Sequence, residues 1–178
     1  KKYYGSNYNR MEEKRKEILK LLNLHEKKFG NEQIIIMRTP GRINLMGRHV
    51  DHQGGHVNLI AIDKEIFLSS SKRRDEKILA HDIDDNLFSS IYLDFSCLVG
   101  KLDETWYDFI KNNDKMNLLR SRGGHWENYF KGVYFRLKFL DQNRPLRGAN
   151  FCVNGNIPIA AGLSSSSALT IGILESLV

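Results

Sequence analysis

Residues 158–169 carry the densest set of groups that could bind an anion. They read Pro-Ile-Ala-Ala-Gly-Leu-Ser-Ser-Ser-Ser-Ala-Leu, so a short loop ends in Gly162 and four hydroxyls precede an apolar helical pattern. Glycine lets backbone N–H groups approach a phosphate closely, and the start of a helix adds unpaired N–H donors and a positive dipole end. This order of residues predicts a phosphate-binding loop. On these residues alone, a serine-rich helix N-cap without a ligand is an equally good interpretation.

A second polar segment, residues 39–55, lies between two apolar runs. It reads Thr-Pro-Gly-Arg-Ile-Asn-Leu-Met-Gly-Arg-His-Val-Asp-His-Gln-Gly-Gly and is predicted to be a turn between strands, where sites are often built. Arg42 is a permanent cation suited to a phosphoryl group or a carboxylate. His49 and Asp51 can form hydrogen bonds with sugar hydroxyls. Judged by its amino-acid composition alone, the segment is also typical of a polar loop exposed to solvent.

Together the two segments resemble two signatures of one enzyme family. Residues 41–55 resemble the first signature of galactokinases, in the GHMP family of small-molecule kinases, which has the form Gly-Arg-(Val/Ile)-Asn-Leu-(Ile/Met)-Gly-Glu-His-x-Asp-(Tyr/His)-x-Gly-Gly. Residues 158–169 resemble the second signature, Pro-x-x-x-Gly-Leu-Ser-Ser-Ser-Ala-Ala-Leu. The two stand in the family's order, about 110 residues apart. The resemblance covers roughly residues 25–178, in which 96–122 is a looser insertion.

The resemblance implies an ATP-dependent kinase that phosphorylates a monosaccharide at its anomeric (C1) hydroxyl, with Mg²⁺ as cofactor. It assigns Arg42 to the catalytic position beside the transferred group, where its charge would stabilise the transition state. His49 and Asp51 align with residues that hold the sugar. The residues aligned with the ATP phosphates are Gly162, Leu163, Ser164, Ser165, Ser166 and Ser167, and Ser166 is also the implied Mg²⁺ ligand.

Two of these assignments leave alternatives open. The family has alanine at the position of Ser167, so this serine is also interpreted as a helix cap only. Trp126 aligns with an aromatic residue that borders the adenine, but a tryptophan at a helical position is as often part of a core.

Arg48 departs from the first signature, because galactokinases have glutamate immediately before the signature histidine. Arginine only donates hydrogen bonds and suits a carboxylate or a phosphate. The hypothesis is therefore an acceptor such as a uronic acid or another sugar altered at C6, rather than plain galactose. The alternative is that Arg48 turns to solvent and only enlarges the pocket. At the level of function, the alternative is a non-catalytic galactokinase-like sensor of sugar and nucleotide.

Composition argues against two other classes of partner. The net charge is +6 with a pI near 9.3, but the basic residues are scattered and no nucleic-acid-binding signature is present. No apolar run reaches the length of a membrane span, and no signal peptide is recognisable. The expected partners are a monosaccharide and ATP, in the cytoplasm. The oligomeric state is not indicated.

The elements that position these residues follow from hydrophobic periodicity and turn residues. Predicted helices span 10–29 (with Asn9 as N-cap and Gly30 at its end), 126–140 and 164–177. Predicted strands span 33–38 (ended by Pro40), 56–62 and 66–72 (joined by a turn at Asp63-Lys64), 77–81, 87–93 (after a turn at 84–86) and 148–155. This order predicts an α+β fold with helices packed on one mixed sheet.

The family resemblance adds an expectation about domains. It implies a ribosomal protein S5 domain 2-like N-terminal half of a GHMP kinase at residues 31–178, with residues 1–30 as a helical segment packed on it. The chain begins at Lys1 and stops at Val178 inside a helical pattern. We therefore expect the C-terminal domain and the catalytic base to lie beyond this chain, and these 178 residues alone to be inactive or nearly so.

Overall fold

The computed structural model describes residues 5, 7–47, 50–96, 104–121, 123–141 and 146–178. Its helices are α1 (Tyr8–Phe29), α2 (Trp106–Lys111), α3 (Asn113–Leu119), α4 (Glu127–Leu140) and α5 (Ser165–Leu177), with a short 3-10 helix at Asp51–Gln53. Its strands are β1 (Ile34–Met46), β2 (Asn58–Lys72), β3 (Lys77–Asp82), β4 (Ile91–Asp94) and β5 (Ala149–Gly155). No described helix is both long enough and apolar enough to cross a bilayer.

Within the described residues, five strands form one mixed sheet in the order β1-β2-β5-β3-β4. β3 and β5 run parallel, and the other neighbouring pairs are antiparallel. β1 is thus an edge strand of the described sheet, and β5 lies at its centre.

The sheet separates two apolar layers, because successive side chains of a strand point to opposite faces. Ile66 and Leu68 of β2 face the larger core, which contains α4 and α5, whereas Phe67 between them faces α1. Val153 and Cys152 of β5 divide in the same way. The predicted α+β class is confirmed, and helices cover both faces of the sheet.

α1 begins two residues earlier than the sequence pattern predicted. The side chain of Asn7 accepts a hydrogen bond from the Arg10 N–H, so Asn7 rather than Asn9 is the N-cap. Arg10 also pairs with Asp63 of β2 at 2.7 Å, a contact that no local pattern reveals. The predicted end is confirmed, since Gly30 follows the last helical residue with a φ of +85°.

The strands on either side of the first polar segment are longer than predicted. The predictions that Pro40 ends β1 and that Asp63-Lys64 forms a turn are both wrong. β1 continues to Met46 and β2 is uninterrupted, so the two strands form one long antiparallel pair. A register shift between Pro40 and Arg42 interrupts the regular ladder, and proline is tolerated at bulges and on edge strands. Arg42 therefore lies on a strand and not in a loop.

The other elements lie close to their predicted positions. α4, β5 and α5 each begin one residue later than predicted, β3 extends to Asp82, and β4 is shortened to Ile91–Asp94 after a turn at 85–87. Residues 96–122, interpreted above as a looser insertion, include the short helices α2 and α3.

Candidate functional site

The segment between β5 and α5, residues 156–164, is called the cradle loop below. Gly162 has a φ of +72°, which glycine adopts without steric cost. Ala160 (φ +59°) and Ser164 (φ +63°) are also left-handed, at a cost of about 1–2 kcal/mol each for residues with a side chain. Backbone strain of this kind is concentrated at binding and catalytic sites.

The four consecutive serines are divided between the cradle loop and the first turn of α5. Ser164 is the N-cap residue of α5, as the N-cap interpretation requires, but its side chain makes no capping hydrogen bond. Ser165, Ser166 and Ser167 lie in α5, and the last two are exposed. Their hydroxyls have no hydrogen-bond partner among the described residues. The start of α5 thus offers free hydroxyls beside its unpaired N–H groups, which suits an anion.

Arg42 joins β1 to the cradle loop by two hydrogen bonds. Its backbone N–H donates to the Leu163 carbonyl oxygen at 3.1 Å, and its Nε–H donates to Ser164 Oγ at 2.9 Å. Gly41 packs against the same loop, since a Cβ at Gly41 would lie 2.9 Å from the Leu163 oxygen. The two polar segments are therefore in direct contact, although Arg42 and Ser164 are 122 residues apart in sequence. The Nη groups of Arg42 make no hydrogen bond with the described residues, and the side chain is exposed.

The remaining residues of the first signature are described only in part. Arg48 and His49 lie outside the described residues, and of Asp51 the structure describes the backbone, in the short 3-10 helix. Asn44 lies on β1, and its buried Oδ1 accepts no hydrogen bond from the described residues.

A cavity of about 500 Å³ opens next to the first turn of α5, between the end of the sheet and the helical layer. Ser165 and Ser166 line it, as do the aromatic rings of Phe88, Trp126 and Tyr129. Trp126 is confirmed as a core residue, and its place beside the adenine stays a prediction. It is 4 % exposed and packs in the main core, with its Nε1–H donating to the Ser89 carbonyl at 2.9 Å, and it also lines the cavity.

Asp82, at the end of β3, is a cavity-lining residue that the sequence motifs missed. It lines the cavity although it is only 8 % exposed. Burial raises the pKa of its carboxyl to about 6; the charges of Asp84 and Asp85 act in the same direction, and a hydrogen bond from the Asp84 N–H opposes them. The sequence signal that could have indicated its burial is the alternation of buried and partly exposed residues along β3. Ile78 and Ala80 are buried, and Asp82 is the next residue on the same face.

Replacing Asp82 by asparagine is expected to stabilise the fold at neutral pH. Because the folded-state pKa lies above the ordinary value of 3.8, the folded state binds this proton more tightly, and stability falls as the pH rises from 3.8 to about 6. Asp82→Asn removes this loss, so its advantage should be on the order of 1–3 kcal/mol near pH 7.5 and vanish near pH 4. Urea unfolding of both proteins at the two pH values measures the difference. If Asp82→Asn were more stable than the wild type by the same free energy at both pH values, the raised pKa of Asp82 would be contradicted.

The described residues contain no group of three or more histidine, cysteine or acidic side chains that could hold a metal ion by themselves. Mg²⁺ usually keeps several waters and is held by one or two protein oxygens together with substrate phosphates. The hydroxyl of Ser166 is exposed and has no partner among the described residues, so it is suited to coordinate a Mg²⁺ ion that is already bound to substrate phosphates.

Comparison with known proteins identifies both segments. Residues 23–72 match the galactokinase galactose-binding signature, and residues 128–178 match the GHMP kinases N-terminal domain. The two matches contain Arg42 and the serine run respectively.

Curated relatives and solved structures agree with these matches. The chain is 30 % identical over 157 residues to a galactokinase of Chloroflexus aurantiacus, covering 88 % of this chain and 34 % of that protein. It is 35 % identical over 149 residues to a galactokinase of Clostridium perfringens, covering 83 % and 33 %. The crystal structure of Lactococcus lactis galactokinase complexed with galactose superposes with a TM-score of 0.65 at 27 % identity, over 87 % of this chain and 36 % of that one. The chain thus spans about a third of the length of the relatives it matches.

Proposed function

Because the chain belongs to the GHMP kinase family and is galactokinase-like, we propose that it binds ATP and a monosaccharide and serves in phosphoryl transfer to the anomeric (C1) hydroxyl. The observation that carries the proposal is the contact of Arg42 with the cradle loop. A cation with free Nη donors stands there beside a helix start that is rich in hydroxyl and N–H groups.

In this proposal the triphosphate of ATP lies at the start of α5. Gly162 and Leu163 let the chain turn closely around the anion, and Ser164 is held by Arg42. Ser165, Ser166 and Ser167 supply the hydroxyls, with Ser166 as a ligand of Mg²⁺. The cavity next to them receives the nucleoside, with Trp126 as part of its wall.

The chemistry asked of these residues is positioning and charge stabilisation, since phosphoryl transfer needs little covalent help from the protein. Arg42 would donate through its Nη groups to the transferred phosphoryl oxygens, where negative charge develops. Mg²⁺, when bound, would neutralise charge on the phosphates. His49 and Asp51 would hold the sugar hydroxyls so that the C1 hydroxyl points along the line of attack.

The direct test is an assay of the full-length gene product with ATP, Mg²⁺ and a panel of hexoses and hexuronic acids. We expect sugar-dependent release of ADP and a product phosphorylated at C1, identified by ³¹P NMR. Binding of sugar and nucleotide without ADP release would replace the kinase by the sensor alternative. The absence of binding to either would refute the proposal.

A more specific part of the proposal concerns the sugar that accepts the phosphoryl group, and it depends on Arg48. We expect the full-length gene product to use galacturonate in preference to galactose, because a guanidinium at the signature position of glutamate would pair with a carboxylate. Arg48→Glu should reverse the preference, with a change of about 100-fold in the ratio of the two kcat/KM values, since charge reversal costs several kcal/mol against the wrong partner. Steady-state kinetics with both sugars measure this ratio.

Arg74→Glu is the matched control for Arg48→Glu. Arg74 is exposed in the turn between β2 and β3, so the same change of charge there should leave the ratio unaltered. A wild-type preference for galactose that Arg48→Glu does not change would show that Arg48 points into solvent.

A further inference from the structure

We propose that Asp82 selects the purine base, its carboxyl accepting a hydrogen bond from the 6-amino group of adenine. This inference rests on the proposed function, because it takes a nucleoside triphosphate as the ligand of the cavity. It goes further by assigning a specificity to a residue that lies in neither signature.

The alternation of β3 directs Asp82 toward the helical layer. Ile78 and Ala80 belong to the core shared with α4 and α5, and residues two apart on a strand face the same side of the sheet. Asp82 continues this series at the end of the strand, where it lines the cavity. Its carboxyl therefore belongs to the same compartment as the serines of α5.

The order of the strands separates Asp82 from the phosphate end of that compartment. α5 packs on β1 and β2, whereas Asp82 lies on β3, with β5 between β2 and β3. Two steps between neighbouring strands amount to about 10 Å across the sheet. This offset suits an extended nucleotide whose phosphates lie at Ser165 and Ser166 and whose base lies at Asp82.

The walls around Asp82 favour a base over a ribose at this end. Phe88, Trp126 and Tyr129 offer aromatic surface, and Ile83 and Leu87 add apolar surface. A flat purine can stack on such walls, as bases do on aromatic side chains. A ribose would need hydrogen-bond partners for two hydroxyls, and most of the lining is apolar.

Only one of the two carboxyl oxygens of Asp82 accepts a hydrogen bond from the described residues. Its Oδ1 accepts a hydrogen bond from the Asp84 N–H at 2.9 Å, which fixes the orientation of the group. Its Oδ2 accepts no hydrogen bond from the described residues. An amino group of a ligand would supply the missing donor and offset the cost of burying the charged carboxylate, the same cost that raises the pKa of this group.

This contact distinguishes purines by the group at position 6. Adenine presents an N–H donor there, while hypoxanthine and guanine present a carbonyl oxygen that would repel a carboxylate oxygen. Inosine triphosphate is the sharpest probe, because its only difference from ATP near this position is the oxo group with its ring proton. The loss of a hydrogen bond to a charged acceptor corresponds to a factor of about 10 to 100 in affinity.

The test is a calorimetric titration of the full-length gene product with ATP and with ITP, both with Mg²⁺. We expect ATP to bind about 10- to 100-fold more tightly than ITP. In Asp82→Asn the amide can turn either its oxygen or its NH₂ group to the base, so the ratio should fall to within about threefold. Asp85→Asn removes an exposed carboxylate three residues along the chain and should keep the wild-type ratio.

Equal affinity of the unchanged chain for ATP and ITP would overturn the role of Asp82 while leaving nucleotide binding in place. A wild-type ratio in Asp82→Asn would overturn it as well. No binding of either nucleotide would overturn this inference together with the proposed function. The comparison on the unchanged chain does not depend on whether a variant folds.

Discussion

Arg42→Ala is expected to lower kcat of the full-length gene product by a factor of about 100 to 1,000, the loss seen when one preorganised donor to a transition state is removed. The reason is the position of Arg42. Its backbone N–H and Nε–H anchor it on Leu163 and Ser164, so its Nη groups are held beside the start of α5 before substrate arrives. Steady-state kinetics with saturating ATP and sugar measure the effect.

Two further variants separate charge from anchoring. Arg42→Lys keeps the positive charge but has no Nε–H in the geometry that reaches Ser164, so we expect an intermediate loss. Arg15→Ala removes an exposed arginine on α1, whose pairing with Glu12 at 3.6 Å is on the surface, and should leave kcat unchanged. If Arg42→Ala kept kcat within about threefold of the wild type, the electrostatic role would be refuted.

Local sequence signals were sufficient for the elements on which α5 and its loop depend. β5 carries Phe151 and Val153 two residues apart, on the same face of the strand, and both are buried in the main core. α4 and α5 have helical periodicity, and both contribute buried residues to that core. Gly30 ends α1 as predicted, because a left-handed residue after a helix is a local requirement. The position of the serine run after a buried strand and before a helix could therefore be predicted.

The errors in β1 and β2 arise from contacts between distant residues. Pro40 and the pair Asp63-Lys64 carry ordinary local signals for a strand end and for a turn. The pairing of β1 with β2 overrides both signals, and the register shift beside Pro40 accommodates the irregularity. The N-cap error is of another kind, because Asn7 and Asn9 have the same capping chemistry and the sequence does not choose between them.

The sequence predicted those site residues that belong to a recognised motif, and it did not predict the others. The resemblance brought Arg42 and the serine run into one hypothesis, but the hydrogen bond between Arg42 and Ser164 depends on the fold. Asp82 has no motif, and its burial becomes evident only when β3 is seen to continue to that residue. Its place in the cavity wall depends on which strands and helices surround it, which a single sequence does not reveal.

Gly41 shows why the first segment contains a glycine immediately before its arginine. A Cβ at this position would lie 2.9 Å from the carbonyl oxygen of Leu163 and 3.2 Å from that of Lys64. Both obstacles are backbone atoms, and they belong to the cradle loop and to β2. Neither can move aside cheaply, because Leu163 accepts the Arg42 N–H and Lys64 is part of the paired strand.

Gly41→Ala is therefore expected to push the cradle loop away from β1 and to lower kcat/KM of the full-length gene product by about 100-fold, the usual cost of a displacement near 1 Å at a catalytic site. The free energy of unfolding should fall by about 1–3 kcal/mol, as for other overpacked positions. Gly132→Ala is the matched control, since nothing lies within 4 Å of a Cβ at this exposed position of α4. Helix propensity should raise the stability of that variant by up to about 1 kcal/mol without changing kcat/KM. If Gly41→Ala behaved like Gly132→Ala in both measurements, close packing of β1 on the cradle loop would not be what holds Arg42 beside the start of α5.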